Sequence, residues 1–156
     1  MHVIAGKAVA FAEALRPEYK LYCRQIVNNA QALANSLLEL GNDLVSGGTD
    51  THVILIDLTQ TGVTGKKAEN TLERAGITTN KNMIPFDERS PMVTSGIRVG
   101  TPAMTTRGMN VEEMQKIATL IHQVIQNIDD ENIISKVREE VAQLCNSFPL
   151  YEEVTV

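Results

Sequence analysis

The chain has 156 residues, 43% of them apolar, with 14 basic against 19 acidic side chains and a net charge of −5. That is enough for one domain with a core of its own, and the acidic balance argues against a binder of phosphate backbones. Three Tyr, three Phe and no Trp leave little for base stacking, and no apolar run approaches the roughly 18 residues of a membrane span.

The first predicted element is a helix over 2–15. It carries Val3, Ile4, Val9, Phe11, Leu15 and five alanines against only Lys7 and Glu13, so it is apolar nearly all round. A surface helix shows one apolar stripe; this one predicts burial on several sides, more than the rest of the chain can wrap. Pro17 suits the first turn of a second helix, in which Leu21, Ile26, Ala30, Leu33, Leu37 and Leu40 recur at helical spacing up to Gly41, a C′ stop. Residues 42–51 read as a polar loop. His52–Leu58 is a continuous apolar run with β-branched residues and predicts a buried strand. A short helix follows over 66–75, ended by Gly76, and Ile77–Thr79 reads as a brief strand.

Asn80–Pro91 reads as a polar loop with two prolines and the charged run Asp87-Glu88-Arg89. Ser95–Val99 predicts another strand. Asn110, with Glu113 three residues on, opens a helix bearing Met114, Ile117, Ala118, Ile121, Ile125 and Ile128 on one face. Asp129 or Asp130 caps a last helix with Ile133, Val137, Val141 and Leu144, stopping near Pro149. Few strands among several amphipathic helices predict an α+β domain, helices packed on a short, mostly antiparallel, three-stranded sheet.

Most sequence features yield no chemistry. Gly62-Val63-Thr64-Gly65-Lys66-Lys67 has two residues between its glycines where a phosphate loop needs four, and it lacks Ser or Thr after the lysine. His2, His52 and His122 are scattered over different elements, so no metal site is expected. Cys23 and Cys145 lie within predicted helices and read as reduced thiols. No serine occupies a strand-to-helix elbow. The informative stretch is Ser95-Gly96-Ile97-Arg98-Val99-Gly100-Thr101-Pro102. Strand alternation puts Arg98 on the opposite face from Ile97 and Val99, flanked by Gly96 and Gly100, so the guanidinium should stand in a cleared lane. A planar fork of donors there suits a bidentate carboxylate. An edge-strand arginine in a surface ion pair accounts for the same spacing. The preceding loop adds Asn80, Asn82 and Ser90 as groups that could orient a small polar molecule.

Thr79-Asn80-Lys81-Asn82, Ser90-Pro91, Ser95 to Ala103 and Thr106-Arg107-Gly108 closely resemble serine hydroxymethyltransferase. So do His2-Val3-Ile4-Ala5 with Lys7 to Phe11, and Gly62 with Gly65 and the helix after it. The likeness runs from residue 2 to about 150. It implies the C-terminal portion of a fold-type I (aspartate-aminotransferase-like) pyridoxal 5'-phosphate enzyme that interconverts serine and glycine with tetrahydrofolate as co-substrate. Residues 1–16 would form the interdomain helix and 17–156 the small domain. The resemblance implies that Arg98 grips the amino-acid carboxylate, that Asn82, Ser90, Pro91 and Met92 contact folate, and that Arg107 is structural support near the site. Met92 stands where relatives often carry an aromatic residue, and Gly6 where they usually carry Ala.

The Schiff-base lysine segment is missing, so no catalytic residue is expected in this chain, which should be inactive alone. Its implied partners are the N-terminal large domain and a homodimer partner, in the cytoplasm, with no nucleic acid and no membrane. A fold-type I aminotransferase and a stand-alone ligand-binding domain are the competing readings.

Overall fold

The computed structural model describes residues 1–150. Helix α1 (His2–Ala14) leads into α2 (Pro17–Glu39), followed by the short strand β1 (Asp43–Leu44), β2 (Val53–Asp57), α3 (Gly65–Arg74) and β3 (Asn80–Asn82). Strand β4 (Gly96–Gly100), the short α4 (Pro102–Thr106), α5 (Val111–Gln126) and α6 (Glu131–Ser147) complete the fold. The sheet has the order β1-β2-β4-β3, and every neighbouring pair is antiparallel.

The helices begin and end where local chemistry dictates. Gly41, at φ +83°, closes α2, with its N–H on Leu38 O (2.9 Å) and that of Asn42 on Leu37 O (3.0 Å). Gly76, at φ +80°, ends α3 the same way, sending the Ile77 N–H back to Leu72 O at 2.8 Å. Both are Schellman closures. Asp130 caps α6 by accepting from the N–H groups of Asn132 and Ile133, and Glu113 accepts from the Asn110 N–H at 2.7 Å to open α5.

The α+β architecture is as predicted, with two differences in the sheet. It has four strands, not three, because Asp43–Leu44, read as loop, pairs with Asp57 and Ile56. The brief strand falls at Asn80–Asn82 and not at Ile77–Thr79. Ile77 is spent on closing α3. Asn and Lys are poor strand formers, but β4 supplies the pairing. The Lys81 N–H also finds the Glu69 carboxylate at 3.0 Å, so this edge strand is not left ragged.

Leu44, Ile54, Ile56, Ile97 and Val99 face inward and are buried. They meet Leu33 and Leu37 of α2, Leu72 of α3, Met114, Ala118 and Ile121 of α5, and Ile134 and Val137 of α6 in one continuous core. Helix α1 stays outside it. No residue of α1 is buried, and Phe11 and Leu15 are 68% and 87% exposed.

Candidate functional site

The alternation that buries Ile97 and Val99 turns Arg98 outward at the centre of β4. Register sets Leu55 of β2 on one side of it and Asn80 of β3 on the other. The same face carries Val53, Asp57 and Asn82, which are half-buried, and Gly100, which is exposed. Among the described residues no carboxylate lies within ion-pair distance of Arg98; its one hydrogen bond is from Nη2 to Asn80 Oδ1, at 3.4 Å. The nearby Asp57 uses Oδ1 to accept the Thr59 N–H at 2.8 Å, tying its carboxylate to its own turn. The surface-ion-pair alternative is thus not what the structure shows. The fork stands ready for a carboxylate from elsewhere.

The expected lane is open on one side only. A Cβ on Gly96 would come within 2.8 Å of the Ile84 side chain and 2.9 Å of Ile56 O, because the incoming loop folds back over the start of β4. Gly100 is exposed, although a Cβ there would approach His52 O at 3.1 Å.

Both ends of β4 are fixed. At its exit, Thr101 donates through Oγ1 to Ile26 O (2.8 Å) and through N–H to His52 O (3.3 Å). Beyond it, the fully buried Asn29 of α2 holds Thr105 Oγ1 at 2.9 Å and Met109 O at 3.0 Å. At its entry, residues 83–95 form a tightly bonded loop. Its Val93 and Thr94 carbonyls accept from the first N–H groups of α3, those of Lys66 (2.9 Å) and Gly65 (3.0 Å). Thr64 Oγ1 takes the Lys67 N–H at 3.1 Å. The donors a phosphate would need at that helix start are therefore already spent, which explains physically why the glycine-lysine segment is no phosphate loop.

Asp87 organises this loop. Its carboxylate accepts from Ser95 Oγ (2.7 Å) and from the N–H groups of Ser95 (2.8 Å), Arg89 (3.0 Å) and Ile84 (3.3 Å). Partial desolvation pushes its pKa up. The hydrogen bonds from the Ser95 hydroxyl and the three N–H groups outweigh this and hold it down to about 2. Arg89 Nη1 reaches across to Val63 O at 3.0 Å. Phe86 and Thr94 adopt φ of +59° and +58°, unfavourable for an aromatic and a β-branched residue and costing about 1–3 kcal/mol each. Such backbone persists only where the surroundings over-determine it.

The loop presents Ser90, Pro91 and Met92 outward, Met92 being 70% exposed. Asn82, eight residues before Ser90, lies on the Arg98 face, its amide donating to Met83 O at 2.7 Å. Arg107 is committed elsewhere, to the last turn of α6, through Nε to Phe148 O and Nη2 to Cys145 O, both 2.9 Å. Sequence reasoning passed over Asp87 as one charge in a solvated run. Its only advance signal was the Pro-Phe-Asp-Glu-Arg-Ser order, in which an Asp can fold the backbone around itself.

The fold is an α+β domain whose open sheet face carries a guanidinium that, among the described residues, has no carboxylate partner. The match to known proteins is more specific. The family model described as serine hydroxymethyltransferase covers residues 1–121, and the chain belongs to that family. A serine hydroxymethyltransferase of Paramagnetospirillum magneticum (strain ATCC 700264 / AMB-1) is 55% identical over 157 aligned residues, 97% of this chain and 37% of that protein. The chain thus spans little more than a third of that relative's length, corresponding to its C-terminal portion. These matches do not favour the aminotransferase reading.

Proposed function

We propose that this chain is the substrate-orienting portion of a pyridoxal 5'-phosphate-dependent enzyme that interconverts serine and glycine with tetrahydrofolate. The observation that carries the proposal is the unpaired Arg98 fork on a sheet face whose strand is fixed at both ends. Arg98 binds the α-carboxylate of the amino acid, while Asn82 and the Ser90–Met92 segment line the folate side. Arg107 supports this arrangement from behind by holding the end of α6.

The cofactor's covalent anchor does not fit this face. Lys81 is the one lysine in the β-strands; it alternates away from Arg98 and pairs with Glu69 at 3.4 Å. Lys67 is engaged with Asp129 at 2.7 Å. The electron-sink chemistry that pyridoxal phosphate supplies when bound is therefore not anchored on this sheet face. Residues 1–16 serve as the connection to the N-terminal large domain and 17–156 as the small domain, of which 151–156 lie outside the described residues. A homodimer in the cytoplasm is the setting we assign to it.

The test is a chimera in which this chain replaces the corresponding C-terminal third of the Paramagnetospirillum magneticum enzyme. In that protein Arg98→Lys exchanges a planar fork for a point charge, and serine and glycine should bind more than about tenfold more weakly. Unchanged amino-acid affinity refutes the assignment of Arg98. A parent chimera whose serine cleavage is indifferent to tetrahydrofolate refutes the folate side.

A further inference from the structure

We propose that Asp87 is a positioning residue for the folate co-substrate, setting the pose of the Ser90–Met92 segment without touching the ligand; this rests on the folate reading above. Its four donors come from three separate places. Ile84 lies at the loop's entry, Arg89 just ahead of the outward-facing segment, and Ser95 at the exit, directly before β4. One carboxylate therefore ties the start of the loop to its end and fixes the span between them. Only an ionised carboxylate can take all four, since an amide of the same shape has one accepting atom.

Removing this tie leaves other restraints in place. Ser90 O still accepts from the Val93 and Thr94 N–H groups, both at 2.9 Å, and α3 still holds the Val93 and Thr94 carbonyls. What is released is the 84–90 side, where Phe86 sits in its strained conformation and fully exposed. Arg98 is insulated, because β4 is paired along its length with β2 on one side, and with β3 on the other, and these ladders remain when the 84–90 side loosens. Asp87 thus governs one half of the site and not the other, which separates positioning from general structural support.

The experiment is Asp87→Asn in the chimera, with serine and tetrahydrofolate as probes. The expected result is a rise of about tenfold in the KM for tetrahydrofolate, as displacement of a contact surface by a fraction of an ångström produces. Serine affinity stays unchanged, and amide hydrogen exchange quickens at residues 84–90. A general loss of structure would instead weaken serine and folate together and quicken exchange in β4; that result, or an unchanged folate KM, overturns the proposal. If Asp87→Asn does not fold, Ser95→Ala decides. It removes one of the four bonds, and an increase of about threefold in folate KM with serine unmoved supports the proposal. No change in that variant refutes it. Should the parent chimera prove indifferent to tetrahydrofolate, the folate reading falls by itself. Asp87's hold on the loop is then judged by exchange at 84–90, and unaltered exchange overturns it.

Discussion

Gly65 is the position at which a single added methyl group should do most damage. Its Cβ would lie 2.0 Å from Thr94 Oγ1, 2.4 Å from Gly96 O and 3.3 Å from Gly96 C. The hydroxyl can swing aside, but the carbonyl cannot, because it belongs to the paired backbone of β4. Helix α3 must therefore withdraw, stretching the bonds from Gly65 and Lys66 to the Thr94 and Val93 carbonyls. Overpacking of this kind costs about 1–3 kcal/mol, and a backbone obstacle puts Gly65→Ala at the upper end, about 3 kcal/mol. For a chain of this length that lowers Tm by about 6–12 °C. Thermal unfolding followed by circular dichroism measures it, with Gly6→Ala as the control. No atom outside its own helix lies within 4 Å of a Cβ at Gly6, so Ala there relieves a helix-interior glycine and should not lower Tm. A Gly65→Ala melting point within about 2 °C of the parent would refute the claim that α3 rests directly on β4.

Two further outcomes follow from the same loop. Phe86→Asn replaces a fully exposed ring at φ +59° with a residue that tolerates that backbone, and should stabilise the chain by about 1 kcal/mol, read as an increased urea midpoint. Asp87, held near 2 against an ordinary 3.8, stabilises the folded state above pH 3.8 and loses that contribution as pH falls toward 2. The gap in urea midpoint between the parent and Asp87→Asn should accordingly be constant near neutrality and close by pH 2; a gap independent of pH would contradict the bonding described.

The elements that sequence periodicity reveals are those whose side chains carry the information. The three long amphipathic helices α2, α5 and α6 are of this kind, as is β2 with its run of β-branched residues. The stops of α2 at Gly41 and of α3 at Gly76 are equally legible, because a left-handed residue is required there. β3 was not legible: Asn80-Lys81-Asn82 has no strand preference of its own, and its pairing comes from β4, fourteen residues further along. Arg98 stood out because its neighbours Gly96 and Gly100 have no side chains. Ile84 filling one side did not, since it depends on a loop whose shape Asp87 sets. Hydrogen bonds from three backbone N–H groups to one carboxylate leave no periodic trace in the residue order.

The domain presents two bare surfaces of opposite chemistry, and the contrast bears on what each receives. Helix α1 offers Val3, Ile4, Val9 and Phe11 with more than half of each exposed, and burying each of them fully is worth about 1.5–3 kcal/mol. Energy of that size, without directional groups, suits a contact made once and kept. The Arg98 face is built differently. Its attraction is concentrated in one guanidinium with a single long hydrogen bond to Asn80, framed by half-buried Val53 and Leu55. A charged fork against a small acid gives orientation and exchange rather than permanence, because water can replace the ligand when it leaves. On the function proposed above, the helix is the surface through which this portion joins the large domain, and the sheet face the one that binds the amino acid. An alteration on α1 such as Phe11→Glu should accordingly disturb assembly and leave the Arg98 geometry as it is.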